Sequence, residues 1–469
     1  MQQHQDYLKE ILDLGVSKSD RTGTGTTSRF GTFHRYDIRD ETLLAVQTKK
    51  LHLKTGFVEE DWMFSGDTNV KFLKDNGVSI WDEWVIPGTG TFREATIAEM
   101  RRNYERQFAG HSEPAFVAFV PDRHQAWEDF EWSDENYAIV ERSLVIGDKK
   151  PHHVIFMRGA IDGLAELNPD HPDWKRIYGL LGINTQTVIA GELGAVYGKM
   201  FRAIDDFRVC KDDGIEGPAL QKRGFEFQDE LARGGLLYHR KIDQLSDLIK
   251  GLKENPDSRR HILCPWNPAY LDEQALPPCH SFIQFWTREL SLEDRSIIAN
   301  VRYNRAFEAH IRSIRDGAPP ADMNRARPLW EAAFMRQRDG QMSVDKEAYG
   351  TYLDSIGTPR IALSCLVYMR SNDAFLGSPY NLTFYSSMTH KIAHELGYWG
   401  EELIHVVGDA HIYDNHQKQV AEQLRRDARP APYMVINRPV GTKVTDLTWE
   451  DIKVFGYHPD PAIVAPIAK

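Results

Sequence analysis

Residues 275–286, Ala-Leu-Pro-Pro-Cys-His-Ser-Phe-Ile-Gln-Phe-Trp, place one cysteine behind paired prolines and ahead of an apolar run. Two prolines remove backbone freedom and two N–H donors, so the chain entering Cys279 is stiff and its position is fixed. Phe282, Ile283, Phe285 and Trp286 have the aromatic and β-branched character of a buried strand, with Gln284 as its one interior amide. A thiol on a rigid turn beside such a strand is placed to attack a substrate. The same pattern also fits an inert cysteine buried as a small apolar group. The rest of the chain decides between the two.

The chain has 469 residues, room for several domains or for one large domain carrying insertions. A net charge of −11 works against non-specific binding to nucleic acid polymers, since phosphate backbones attract basic proteins. It leaves open a small anion held by a local arginine cluster. The four cysteines, Cys210, Cys264, Cys279 and Cys365, make no C-x-x-C pair, which fits a reducing cytoplasm without zinc knuckle or disulfide framework. The N-terminus lacks the pattern of a signal peptide and no apolar run is long enough to span a bilayer, so the expectation is a soluble cytoplasmic protein.

Apolar spacing predicts a helix from Tyr7 to Leu14 and an amphipathic helix from Ile242 to Asn255. Thr96 to Glu99 reads as a capping box opening a helix that runs to Phe108. Pro114 to Pro121 and His153 to Met157 read as strands, as does Leu363 to Ser371. Asn372 to Asn381 reads as a loop, followed by a helix from Leu382 to Leu396 that Gly397 ends. Helical stretches are expected around Arg327 to Arg338. Ile297 to Ile314 fits helix or strand. The stretches 87–190 and 287–361 keep apolar periodicity and read as inserted structure.

Several motifs carry chemistry. The glycines and hydroxyls from Asp20 to Thr26 form a turn, and Arg21 at its head makes an anion site plausible. Glu59, Glu60 and Asp61 are three acids in a row, the mark of a solvated face. One of them beside Trp62 and Phe64 also fits a carboxylate suited to proton transfer. The stretch from Ile80 to Trp84 supplies two tryptophans three apart, Trp81 and Trp84, which offer flat surface to a ring ligand or are simply core. Gly191 to Arg202 is a glycine-punctuated loop that leaves Tyr197 exposed. Arg259 and Arg260 are adjacent, so in an extended chain they point to opposite sides. His390 and His394 stand at i, i+4, but Lys391 occupies the position where metalloprotease helices carry glutamate, so no metal is expected. His411 and Tyr413 share a face if extended.

In combination these blocks resemble the folate-dependent, cysteine-nucleophile thymidylate synthase family. The matching blocks are DRTGTGT from Asp20, GDTN from Gly66, IWDEW from Ile80, VYGK from Val196, DSRR from Asp257 and WNPAYLDEQALPPCH ending at His280. RSNDAFLGSPYN from Arg370, GDAHIYDNH from Gly408 and the tail from His458 to Ala468 continue the match. The resemblance implies a mixed α/β fold whose large sheet backs a homodimer, with helices around it. It implies one domain over residues 1–469, and Arg259 and Arg260 reaching the partner's nucleotide.

The resemblance further implies reductive methylation of dUMP to dTMP, with 5,10-methylenetetrahydrofolate as one-carbon and hydride donor. Cys279 would add to uracil C6, activating C5. Arg21, Arg259, Arg260, Arg370 and Ser371 would hold the nucleotide phosphate, Asn381 the uracil edge, and His411 and Tyr413 the sugar hydroxyl. Gln284 and Asp373 also fall among the nucleotide-binding positions. Glu59 would order water and move protons, with Tyr197 and Lys49 nearby in less defined roles. Asp373, His52, Ile80, Trp81, Trp84, Leu276, Leu376, Gly377, Tyr380 and Ala468 would line the folate site. Three departures stand out: Tyr380 where phenylalanine is usual, Val58 in place of histidine, and Lys469 lengthening the tail. They keep a second reading open, a dUMP hydroxymethyltransferase in which water replaces hydride. A nucleotide-binding protein without turnover is the third.

Overall fold

The computed structural model describes residues 1–20, 23–84, 117–121, 137–146, 150–157, 193–211, 214–230, 235–315, 331–338 and 341–466. Arg21, the helix expected from Thr96, and Ala468 with Lys469 lie outside the described residues. The chain divides into two compact units. The first comprises 1–61, 246–263 and 279–469, and the second 62–245 and 264–278.

The first unit is built on a six-stranded mixed sheet. Its strands are β1 (Val16–Lys18), β2 (Thr26–Asp37), β9 (Ile262–Leu263), β10 (His280–Glu289), β13 (Ile361–Asp373) and β14 (Trp399–Tyr413), in the order β1-β2-β14-β13-β10-β9. Only β13 and β14 pair in parallel. Parallel neighbours need a crossover, and α7 (Gly377–Leu396) supplies it. Burial of Leu382, Phe384, Tyr385, Met388, Ile392 and Ala393 fixes α7 against the sheet. Gly397 ends it in the left-handed conformation, φ 68°, where a side chain is disfavoured. α1 (Gln2–Leu14) packs Tyr7, Leu8 and Ile11 inward beside β2. α2 (Leu53–Ser65) begins in this unit, and α4 (Gln244–Glu254) lies mostly within it.

The stretch from Ile297 to Ile314 is helical, inside α5 (Leu292–Arg315), with α6 (Lys346–Ser355) packed on it. In the range 327–338, where helical stretches were expected, Glu331–Phe334 is a 3₁₀ turn, whereas Met335–Arg338 is a strand, β11, paired with β12 (Gln341–Val344). Four residues with no inward stripe to bury gain more from a hairpin ladder than from one helical turn. The loop expected from Asn372 to Asn381 shrinks to residues 374–376, because β13 runs to Asp373 and α7 starts at Gly377. Nor does 287–361 begin as an insertion: β10 continues to Glu289, paired with Ile361. α5 therefore leaves the sheet at the end of β10 remote from Cys279, about 30 Å away at the rise of a strand, rather than at the thiol's rim.

The second unit contains two three-stranded sheets. One has the order β3-β5-β4, from Val117–Pro121, Lys150–Met157 and Tyr137–Ile146. The other has the order β6-β8-β7, from Ile204–Cys210, Leu236–Ile242 and Glu226–Glu230. Gly198, in α3 (Tyr197–Arg202), sits so close to Asp67 that an added Cβ would lie 2.2 Å from its carbonyl oxygen. That contact holds the turn after Gly66 against α3.

Candidate active site

Three strand ends of the first unit meet at one edge. Cys279 precedes β10, and its carbonyl accepts from the N–H of Arg370 near the end of β13. A register irregularity between His280 and Phe282 loosens the ladder there, freeing the backbone to place the thiol. Ser371 pairs with Asp409 and Asp373 with His411, so β14 adds its own end to the same edge.

Nη2 of Arg370 lies 3.8 Å from Sγ of Cys279. Burial pushes the thiol's pKa up while the guanidinium pulls the other way, and burial prevails. The resting group is therefore a thiol, with a cation in place to stabilise the thiolate once formed.

His280 is buried and burial lowers its pKa to about 3, so the ring is neutral. Its Nδ1 is 2.8 Å from the Tyr385 hydroxyl and its Nε2 2.9 Å from Nδ2 of Asn381. Nδ2 has only protons to give, so Nε2 accepts and the ring proton sits on Nδ1. Oδ1 of Asn381 accepts from Nδ2 of Asn372 at 2.9 Å, and Asn372 in turn accepts from the Tyr7 hydroxyl. Asn381 is half-buried, and one N–H and one lone pair of its amide remain for a ligand. Sequence reasoning assigned no role to His280, Asn372 or Tyr385; the histidine directly after the cysteine was the available signal.

His411 is buried with its ring 5.0 Å from that of Tyr413, as the two-residue spacing predicts. Burial opposes its protonation, but the Asp409 carboxylate 3.6 Å away overrides this and raises its pKa. Asp409 also accepts from Lys18. Oδ1 of Asp373 accepts from the N–H groups of Phe375 and Leu376 and so braces the turn that leads into α7. Lys49 is buried, donates to the Phe375 carbonyl and lies 3.6 Å over that ring; desolvation lowers its pKa to about 7. Leu376 and Gly377 are half-buried at the same helix start.

The hydroxyl of Tyr380 accepts from the backbone N–H of His52 at 3.3 Å, which gives that departure a structural partner. Arg259 and Arg260 are exposed. Gln284 donates to the Arg259 carbonyl at 3.2 Å, bracing the turn that presents the pair.

Glu59 is half-buried on α2. Its neighbours correct the reading of a solvated acid run. Glu60 and Asp61 are buried around Lys391 of α7, at 3.2 and 3.0 Å, and Ser387 donates to Glu60 at 2.7 Å. Desolvation favours an uncharged Lys391, yet two carboxylates outweigh it and raise its pKa. The cluster ties the helix of Glu59 to the helix of Asn381.

In the second unit Tyr197 is buried, not exposed, because α3 turns it into an aromatic cluster with Trp81 and Phe201 at 6.3 Å each. Trp81 also packs on Trp62 at 5.7 Å. Trp84 and Leu276 are half-buried, and Ile80 is exposed. Among the described residues of the tail, Pro466 accepts from His416 at 2.7 Å and Asp460 pairs with Arg429.

His390 and His394 each turn Nε2 to a backbone carbonyl, of Thr42 and Pro439, and do not converge on one point. No helix among the described residues is long and apolar enough to cross a membrane.

The end of a mixed sheet and the first turns of α7 thus gather a thiol, a guanidinium and a fixed amide on one edge. The sequence profile described as thymidylate synthase matches residues 2–309 and 342–469. The chain is 28% identical over 468 residues to thymidylate synthase of Coxiella burnetii (strain RSA 493 / Nine Mile phase I), covering 100% of both chains. It is 29% identical over 471 residues to thymidylate synthase of Mycoplasma mobile, again covering 100% of both. The chain belongs to the thymidylate synthase family.

Proposed function

We propose that this chain is a thymidylate synthase that methylates dUMP reductively. The observation that carries this reading is the fixed amide of Asn381 on the edge where Cys279 and Arg370 meet. Uracil offers an acceptor at O4 and a donor at N3–H. An amide whose remaining groups are one N–H and one lone pair matches both. Arg370, Ser371 and the exposed Arg259 and Arg260 form the phosphate grip, the latter two donated by a second copy in a homodimer.

Phe30, Phe33, Trp286 and Tyr368, on three strands of the large sheet, are all exposed. Apolar surface of this kind on one sheet supports burial against a second copy. Arg21, His411, Tyr413, Asp373 and Gln284 take the nucleotide positions given above, and Lys49, His52, Trp81, Trp84 and Leu276 the folate positions. The protein works in the cytoplasm.

In this reading the Cys279 thiolate adds to C6 of uracil, and the ring then attacks through C5. Methylenetetrahydrofolate supplies the one-carbon unit and the hydride. Glu59 orders water and moves protons at the base. Purified protein with dUMP and methylenetetrahydrofolate tests this: equal dTMP and dihydrofolate are expected. A nucleotide one oxygen heavier than dTMP, with tetrahydrofolate left unoxidised, would overturn the synthase reading.

A further inference from the structure

The amide of Asn381 can read a base only if it is held one way round. Uracil presents an acceptor at O4 beside a donor at N3–H, and cytosine presents a donor at N4 beside an acceptor at N3. Half a turn of a carboxamide exchanges its oxygen and its NH₂, so the two orientations of one asparagine suit the two bases in turn. Whatever fixes that half-turn also fixes the base.

His280 holds the amide only while its ring proton stays on Nδ1. Its Nε2 meets Nδ2 of Asn381 at 2.9 Å, and its Nδ1 meets the Tyr385 hydroxyl at 2.8 Å. A neutral imidazole has two tautomers, and a hydroxyl can donate to one and accept from the other. With the proton moved to Nε2, the same ring would support the reversed amide.

Asn372 supplies the constraint that the ring lacks. It is buried on β13, paired with Ala410 of β14. Its Nδ2 donates to Oδ1 of Asn381 at 2.9 Å and lies 3.5 Å from Sδ of Met369. Its Oδ1 accepts from the Tyr7 hydroxyl at 3.1 Å. Reversal of Asn381 alone would set its NH₂ against the NH₂ of Asn372. Reversal of both amides would keep their mutual bond, but the Asn372 oxygen would then face a thioether that has no proton to give, and its NH₂ would face Tyr7. In a buried place such mismatches are costly, because no water relieves them.

Tyr7 is held as firmly as the amide it serves. It is fully buried on α1, with its ring edge-on to His34 at 4.7 Å and to His405 at 6.1 Å. Thr32 is the other polar group at its hydroxyl. His4, on the same helix, reaches the Ala374 carbonyl at 3.2 Å, so α1 is tied to the chain just beyond β13.

We propose that Asn372, with Tyr7 behind it, is the positioning residue that makes this chain select uracil over cytosine. The inference rests on the proposed function, in which Asn381 reads the base, and both residues act through Asn381. An asparagine kept only to satisfy the core would affect stability, and would affect both nucleotides alike.

Equilibrium binding of dUMP and of dCMP to the full chain, measured without folate, tests the proposal. The native protein is expected to prefer dUMP. Asn372→Leu nearly keeps the side chain's size and removes its donor, so the preference for dUMP over dCMP is expected to fall at least about tenfold. Tyr7→Phe keeps the buried ring and removes one hydroxyl, and is expected to lower the same preference about threefold. A preference in Asn372→Leu within about a factor of two of the native value overturns the inference, even where both affinities have dropped together. Should that variant not fold, an unchanged preference in Tyr7→Phe overturns it. Equal affinity of the native protein for the two nucleotides would remove Asn381 as the base reader, and the inference would fall with it.

Discussion

Asn381 and His280 meet at 2.9 Å, and the neutral imidazole decides which way the amide faces. Rotating the amide by half a turn would set its oxygen against a bare ring nitrogen and its NH₂ against the donor of Asn372. Replacement of Asn381 by Asp puts a carboxylate beside the same bare nitrogen. Under the proposed function, kcat/KM for dUMP should fall at least about a hundredfold, roughly 2.7 kcal/mol, while the preference for dCMP rises. Steady-state kinetics with both nucleotides would check this; a dUMP value within a factor of three of the native protein would refute it.

The thiol of Cys279 is raised by burial and partly relieved by Arg370. Its thiolate fraction therefore grows as pH rises, and alkylation by iodoacetamide should accelerate through and beyond the ordinary thiol range. Arg370→Met removes the relieving cation, so the midpoint of that profile should move to still higher pH. A profile that stays put, or moves down, would show that the guanidinium does not act on the sulfur. Cys279→Ala should abolish turnover while retaining nucleotide binding.

Lys391 with Glu60 and Asp61 is a buried ion cluster, and its parts are worth more than its whole. Lys391→Met leaves two carboxylates buried without their cation and should destabilise the fold by about 3–5 kcal/mol. The triple change to Glu60→Leu, Asp61→Leu and Lys391→Met should recover most of that loss. Denaturant titrations of the two variants give the comparison. If the triple variant is no more stable than Lys391→Met, desolvation is not what governs the site.

Three buried histidines, His4, His280 and His405, have pKa values lowered to about 3 by burial. An unfolded chain binds a proton at each near pH 6.5, whereas the folded one does not until about pH 3. Protons therefore favour the unfolded state across that window, and stability falls as pH drops below 6.5, by up to about 1.4 kcal/mol per histidine per pH unit. Melting temperature measured from pH 7 to pH 4 should decline, and His405→Gln should flatten the decline. A flat native curve would contradict the assignment.

Much of the site was legible because its parts are short-range in sequence. The prolines before Cys279 and the strand after it define the thiol's mounting, and the pair His411 and Tyr413 share a face by spacing alone. The resemblance singled out the amide of Asn381, and the fold puts it on the edge where Cys279 and Arg370 meet. What orients it was not legible, since Tyr7 and Asn372 lie 365 residues apart. The charge of Glu60 and Asp61 pointed to solvent. Their counter-charge sits on another helix 330 residues on, and only the fold brings it in. Tyr197 looked exposed among glycines, yet α3 turns it against Phe201 and against Trp81, a ring far earlier in the chain that only the fold brings in.

β10 and β13 are neighbours in the sheet, though residues 290–360 separate them in the chain. The entropy of closing such a connection grows only with the logarithm of its length, about 0.6 kcal/mol per doubling. That junction is in effect a port. Chain can be spliced in, trimmed or nicked there at small thermodynamic expense, while the opposite margin, where Cys279 and Arg370 meet, keeps its registry. Residues 310–341, which the family profile does not match, fall inside it.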